Sequence, residues 1–193
     1  IRLHVPIPEG FTITTWAFLH VLEVNHLAGD IEEAVRRLDA GDEGPIHDIA
    51  RRLRQATIPR DLARAIRRSV ARLGPESRLR LAVRSSALGE DQDLSFAGQY
   101  ATVLDTPPAS VADAYRQVLA SLYSPQAVGY RKASGMPAAG LMAVACMRMI
   151  PAATSGVLYT VDPNRPRSGE MILGIARGLA DRAVQGDQSM AHC

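Results

Sequence analysis

The chain has 193 residues, 47% of them apolar, with 22 basic against 20 acidic side chains and a formal net charge of +2. That length and apolarity suffice for a core of ordinary size, which excludes disorder of the whole chain and fits one domain, or one domain with a small satellite. Charge so close to balance, without interleaved aromatic and basic residues, argues against a nucleic-acid surface.

In chain order, the opening Leu3-His-Val-Pro-Ile-Pro-Glu-Gly10 reads as a short extended run, leading to a helix over about 16–26 that Thr14 or Thr15 can cap. Residues 30–73 carry three apolar stripes at spacings of three or four: Ile31, Val35 and Leu38; Ile46, Ile49 and Leu53; Leu62, Ile66, Val70 and Leu73. Such stripes predict amphipathic helices, broken at Gly41, Gly44, Pro45 and Pro59. Arg51, Arg52, Arg54, Arg64, Arg67, Arg68 and Arg72 fall mostly off the stripes, as solvated helix faces do.

A change of period follows. Leu79, Leu81 and Val83 alternate with Arg80, Ala82 and Arg84, and Tyr100, Thr102 and Leu104 alternate with Ala101 and Val103, so two strands are expected. About a dozen residues without apolar period separate them, a length that usually marks a binding loop or disorder. Leu94 and Phe96 weigh against disorder. After Pro107 and Pro108 a helix capped near Ser110 is expected, with Val111, Tyr115, Val118, Leu119 and Leu122 inward. A second should start at Ser124-Pro125 and run to Lys132, before Gly135. Residues 139–150, 156–162 and 170–176 then read as three strands. The expected parts are thus a helical part at about 14–74, a loop with flanking strands at 79–105, a helical pair at 108–134 and antiparallel strands at 139–177. A helical N-terminal half followed by a largely antiparallel sheet is an α+β arrangement.

Several chemistries find no support. The only lysine, Lys132, lies in Tyr130-Arg-Lys-Ala, which closes the Walker route to phosphate, and the dinucleotide fingerprint is missing. The five histidines never fall at metal-ligand spacing, and Ser85 and Ser86 lack a nucleophile elbow. Cys146 and Cys193 make no disulfide framework, which fits a reducing cytoplasm. The apolar stretch 138–150 is too short to span a bilayer and is broken by Arg148, so no membrane partner is expected. The chain opens within an apparent strand and stops at Cys193 without a terminating element, which reads as a piece of a longer polypeptide.

What remains is Arg84 beside two serines, then Glu90 and Asp91, then Ala97-Gly98. An arginine at a strand end offers a fixed fork that suits phosphate oxygens, and a glycine lets backbone amides approach them. By spacing alone an ion pair from Arg84 to Glu90 or Asp91, pinning the loop, fits equally well.

Val83-Arg-Ser-Ser-Ala-Leu-Gly-Glu-Asp91, followed by Ser95-Phe-Ala-Gly-Gln99 and Thr102, resembles the nucleotide-binding region of phosphoenolpyruvate synthase and pyruvate phosphate dikinase, also found in rifamycin phosphotransferases. The resemblance extends to Pro6-Ile-Pro-Glu-Gly-Phe-Thr-Ile-Thr-Thr15, Ala120-Ser-Leu-Tyr123, Tyr130-Arg131, Met147-Arg-Met-Ile150, Ser155 to Pro163 and Gly178 to Gly186. It implies an incomplete ATP-grasp-like domain that uses ATP to phosphorylate a histidine on another domain of the same polypeptide, for transfer to pyruvate. It also implies partners in a phosphocarrier histidine domain and a pyruvate or phosphoenolpyruvate domain, with oligomers possible. Arg84 would be the catalytic group on the β- and γ-phosphates, while Gly98, Thr102 and Val103 would line the nucleotide. Met147 would stand at the adenine side, where the family commonly has glutamine. The family's phosphate lysine would precede Ile1, and its magnesium ligands would follow Cys193, so Mg2+ is expected to be held from outside the chain. Gly178-Leu-Ala-Asp181 stands where Gly-Leu-Gly-Glu is usual, and Arg177 where tryptophan is common. Those departures suit the alternative of a non-catalytic module of the same fold, and a dikinase with a different acceptor, such as a rifamycin, is the other alternative.

Overall fold

A computed structural model describes residues 6–87, 100–162, 164–179 and 191–192. The chain divides into two compact units, Ile1–Met149 and Ile150–Cys193.

In the first unit, one apolar stripe sets the centre. Helix α5 (Val111–Ser121) buries Val111, Ala114, Tyr115, Val118 and Leu119, the i, i+3, i+4, i+7, i+8 pattern of a single helix face. Full burial of residues such as Val118 and Leu119 contributes about 1.5–3 kcal/mol each by transfer from water. That face lies against strands β2 (Leu81–Ala87), β3 (Thr102–Thr106) and β4 (Met142–Arg148), and α1 (Thr15–Val24) lies against β4. Helices α3 (Gly44–Arg54) and α4 (Arg60–Arg72) pack on α5, and α2 (Ala28–Asp39) on α3. Ser124 caps α6 (Pro125–Ala133), accepting from the Ala127 N–H at 3.1 Å, with Pro125 preset for the first turn. An ion pair from Lys132 to Asp39 joins α6 to α2. The arginines expected on solvated helix faces lie there: Arg51 pairs with Asp48 on its own helix, and Arg52 with Asp30 at 2.6 Å.

The sheet of this unit departs from the expected grouping. It has four antiparallel strands in the order β1-β4-β2-β3. Gly10–Ile13 is a strand, β1, rather than a plain run-in to α1. Four residues carry too little alternation to announce themselves, and their partner β4 lies far along the chain. Nor does β4 join the strands that follow it, since it is inserted between β1 and β2.

The register of β3 shifts by one residue against β2: Arg84 faces Thr102 and Val83 faces Val103, but Leu81 faces Thr106. Asp105 takes up the extra residue with φ of +51°, the local geometry of a β-bulge. Its N–H donates to the Met149 sulfur at 2.9 Å, and its carboxylate lies 3.5 Å from Arg80 Nε. Side-chain parity therefore inverts along one strand, and both Val103 and Thr106 face the core.

The second unit has an antiparallel sheet of β5 (Thr154–Tyr159), β6 (Ile172–Arg177) and β7 (Ala191–His192), in that order. At the β5–β6 connection the buried Asp162 carboxylate accepts from the Asn164 N–H at 2.8 Å and from Arg165 Nε at 3.1 Å. Those bonds, the Asn164 N–H foremost, hold its carboxyl below the usual carboxylate range. Gly156 sits so close to its neighbour that an added Cβ would lie 2.4 Å from the Gly174 oxygen. The described parts are α+β with antiparallel sheets.

Candidate functional site

Cross-strand partners in an antiparallel sheet share a face. Across the four strands, Thr12, Ala145, Arg84 and Thr102 therefore form one row. The neighbouring row, displaced by two residues along the strands, contains Gly10, Met147 and Ala82. Both rows lie on the face opposite the helices, whereas Phe11, Val83, Val103 and Cys146 point to the core. Strand spacing of about 4.8 Å and a rise of about 3.4 Å per residue put Arg84 and Met147 roughly 8 Å apart in backbone position.

Small residues surround this pair: Ala82 and Ala145 lie at the corners between them, Gly10 on the far side of Met147 and Ala143 on the far side of the Arg84 row. Gly10 is required there, because an added Cβ would meet the Cys146 oxygen at 2.6 Å and Met147 Cγ at 3.2 Å. Arg84, Thr102 and Ser86 are exposed on this face. Arg84 enters no ion pair with another of the described residues.

Of the residues singled out from sequence, the fold brings Arg84, Thr102 and Met147 onto this one face. Val103 is placed on the other, packed against the core. Its side chain does not line the same surface, and only its main chain, on the edge strand β3, is left to meet a bound molecule. Gly98 lies outside the described residues, as do Glu90 and Asp91, the proposed loop-pinning partners, and Ala180 and Asp181. Among the described residues no three His, Cys, Asp or Glu side chains converge where they could hold a metal ion. No helix among them is long and apolar enough to cross a membrane.

Reading from sequence missed these small neighbours, because Ala145 becomes adjacent to Arg84, and Gly10 to Met147, only through strand pairing. It also missed Arg131 as an inward residue, although the signal was present. Ala127, Val128 and Arg131 lie at spacings of four and three on the buried side of α6.

The structure defines an α+β domain with an arginine exposed on the face of its sheet opposite the helices. Comparison with known proteins narrows this. A family model described as pyruvate phosphate dikinase, AMP/ATP-binding domain, matches residues 1–192. The chain belongs to that family. Among its relatives, a probable phosphoenolpyruvate synthase of Staphylothermus marinus is 30% identical over 198 residues, covering 96% of this chain and 24% of the relative. A rifampicin phosphotransferase of a Streptomyces species is 34% identical over 191 residues, covering 94% and 22%. The phosphoenolpyruvate synthase of Escherichia coli K12 is 32% identical over 192 residues, covering 94% and 24%. The chain thus spans about a quarter or less of the length of these relatives.

Proposed function

We propose that the chain is the ATP-binding part of a phosphotransferase that moves phosphate from ATP to a histidine on another domain, for delivery to pyruvate. The observation that carries the reading is the placement of Arg84 with Thr102 in one cross-strand row, without an ion-pair partner among the described residues. A guanidinium carried on a strand flanked by two neighbours offers a planar fork to phosphate oxygens, and in phosphoryl transfer such cations stabilise charge spreading over the transferred group. Thr102 adds a hydroxyl beside it. Gly98 is proposed to let backbone amides approach the phosphates, and Val103 to contribute through its main chain. Met147, two residues along from the Arg84 row, suits the adenine side, where a thioether packs on a ring but supplies no amide hydrogen bond. ATP-grasp-like geometry, Mg2+ held by residues beyond those described, a cytoplasmic setting, and carrier and acceptor domains in one longer polypeptide belong to the same proposal.

The test is calorimetric titration of ATP into the chain with the residues that flank it in its reading frame, comparing Arg84→Ala with the parent. Loss of a charge-assisted hydrogen bond should weaken binding by about 1.5–3 kcal/mol. Equal affinity removes Arg84 from the site. The identity to rifampicin phosphotransferases supports a second acceptor class. ATP consumption by the complete reading frame with pyruvate, and separately with rifampicin, separates the two.

A further inference from the structure

A pocket lies in the first unit, lined by residues of α1, α2 and α6 rather than by the sheet face that carries Arg84. Its volume is about 310 Å³, at the lower end of the range for small-ligand sites, roughly 300–1,000 Å³. The walls are apolar, with Leu19, Leu22, Ile31, Met136 and Leu141 among them. Arg131 also lines it and is only 2% exposed.

The bonding of Arg131 is unusual for a buried cation. Nε donates to the Ala138 carbonyl at 3.2 Å and Nη2 to the same oxygen at 2.8 Å. Nη1 donates to the Leu122 carbonyl at 2.8 Å and to the Tyr100 hydroxyl oxygen at 3.3 Å. A guanidinium has five N–H groups, so one, on Nη2, is left without an acceptor among the described residues. Every acceptor is neutral, and among the described residues no carboxylate lies within ion-pair distance. Taking a cation out of water without a counter-charge is costly. The surrounding chain holds the group in place nonetheless: Gly140, at φ +65°, passes so close that an added Cβ would lie 3.1 Å from Arg131 Nε. The Tyr123 hydroxyl fixes the same turn by donating to the Ala139 carbonyl at 2.9 Å.

The other charged lining residue is Glu32, exposed at the rim. Its charge disfavours a polyanion such as a phosphate ester entering the mouth, while a single carboxylate remains compatible with the buried guanidinium. From the apolar walls, the uncompensated Arg131 and the rim Glu32, we infer that this pocket binds a small monocarboxylic acid with an apolar body, its carboxylate directed to Arg131. The site is separate from the proposed nucleotide face and does not depend on that reading.

Substituting Arg131 would release the 136–141 turn, so the charge is tested on the ligand. The parent chain is titrated by calorimetry, at monomeric ligand concentrations, with decanoate, decanol and decylamine, which share a body and differ in the head. Decanoate is expected to bind with one-to-one stoichiometry, at least tenfold tighter than decanol or decylamine. Ala28→Trp, at the exposed mouth on the first residue of α2, should abolish decanoate binding while leaving the circular dichroism spectrum unchanged. Absence of decanoate binding overturns the inference. So does equal binding of decanoate and decanol, tighter binding of decylamine, or parental affinity in a folded Ala28→Trp chain.

Discussion

Tyr115 is the place where one atom can be removed with a calculable result. Its ring is fully buried on the central face of α5, and its hydroxyl has no hydrogen-bond partner among the described residues. A buried polar group without a partner costs about 1–3 kcal/mol in lost hydration. Burial first, and then the nearby Cys146 thiol, push the phenol above its ordinary value, as expected of a group with nothing to solvate its anion. Tyr115→Phe removes the orphan oxygen and keeps the ring. Against the gain stand only the dispersion contacts of one atom, about 0.1–0.2 kcal/mol for each contact, so a handful of them returns less than 1 kcal/mol. A net stabilisation of about 1 kcal/mol should remain, and for a chain of this size that raises the melting temperature by roughly 2–4 °C. Urea titration followed by circular dichroism, at pH 7 where the phenol stays protonated in both states, measures it. A fall in stability of 0.5 kcal/mol or more would show that the hydroxyl is satisfied, and would refute the argument.

Other outcomes follow from particular residues. Burial pushes the Cys146 thiol up to about 12, against an ordinary value near 8.5 in the unfolded chain. Its contribution to stability is complete below about pH 8.5 and is lost as pH rises toward 12, by at most about 1.4 kcal/mol per pH unit. Between pH 8 and 9, where the unfolded phenols of Tyr115 and Tyr123 are still largely protonated, Cys146→Ala should flatten the decline in urea stability, and an unchanged slope would contradict the burial. Asp105→Val places a β-branched side chain at φ +51°, where left-handed backbone costs about 1–2 kcal/mol, and should destabilise by that amount in the same titration. Gly156→Ala should loosen the β5–β6 pair, because its Cβ would overlap the Gly174 oxygen. Faster amide exchange confined to Thr154–Tyr159 and Ile172–Arg177 is the expected signature, and unchanged protection would count against the pairing.

Legibility from sequence tracked how local the determining interactions are. The α5 stripe and the Ser124-Pro125 start of α6 were readable, because a helix face and an N-cap are defined within a few residues. Strand β1 was not, since its four residues become a strand only by pairing with β4. The candidate face was half legible. Arg84 stood out as a strand-end arginine, but which of Thr102 and Val103 shares its face depends on the register with β2 and on the bulge at Asp105.

The sequence by itself determined the α+β class, the helical stripes, the absence of a Walker lysine motif and the prominence of Arg84, all of which rest on periodicity and residue chemistry within short windows. Tertiary structure decided what the windows cannot hold. It inserted β4 between β1 and β2, turned Val103 away from Arg84, placed small residues beside Arg84 and Met147 and buried Arg131 among neutral acceptors. Each of these depends on pairing or packing between residues distant in the chain, and a one-residue shift in register is enough to reverse which side chains meet.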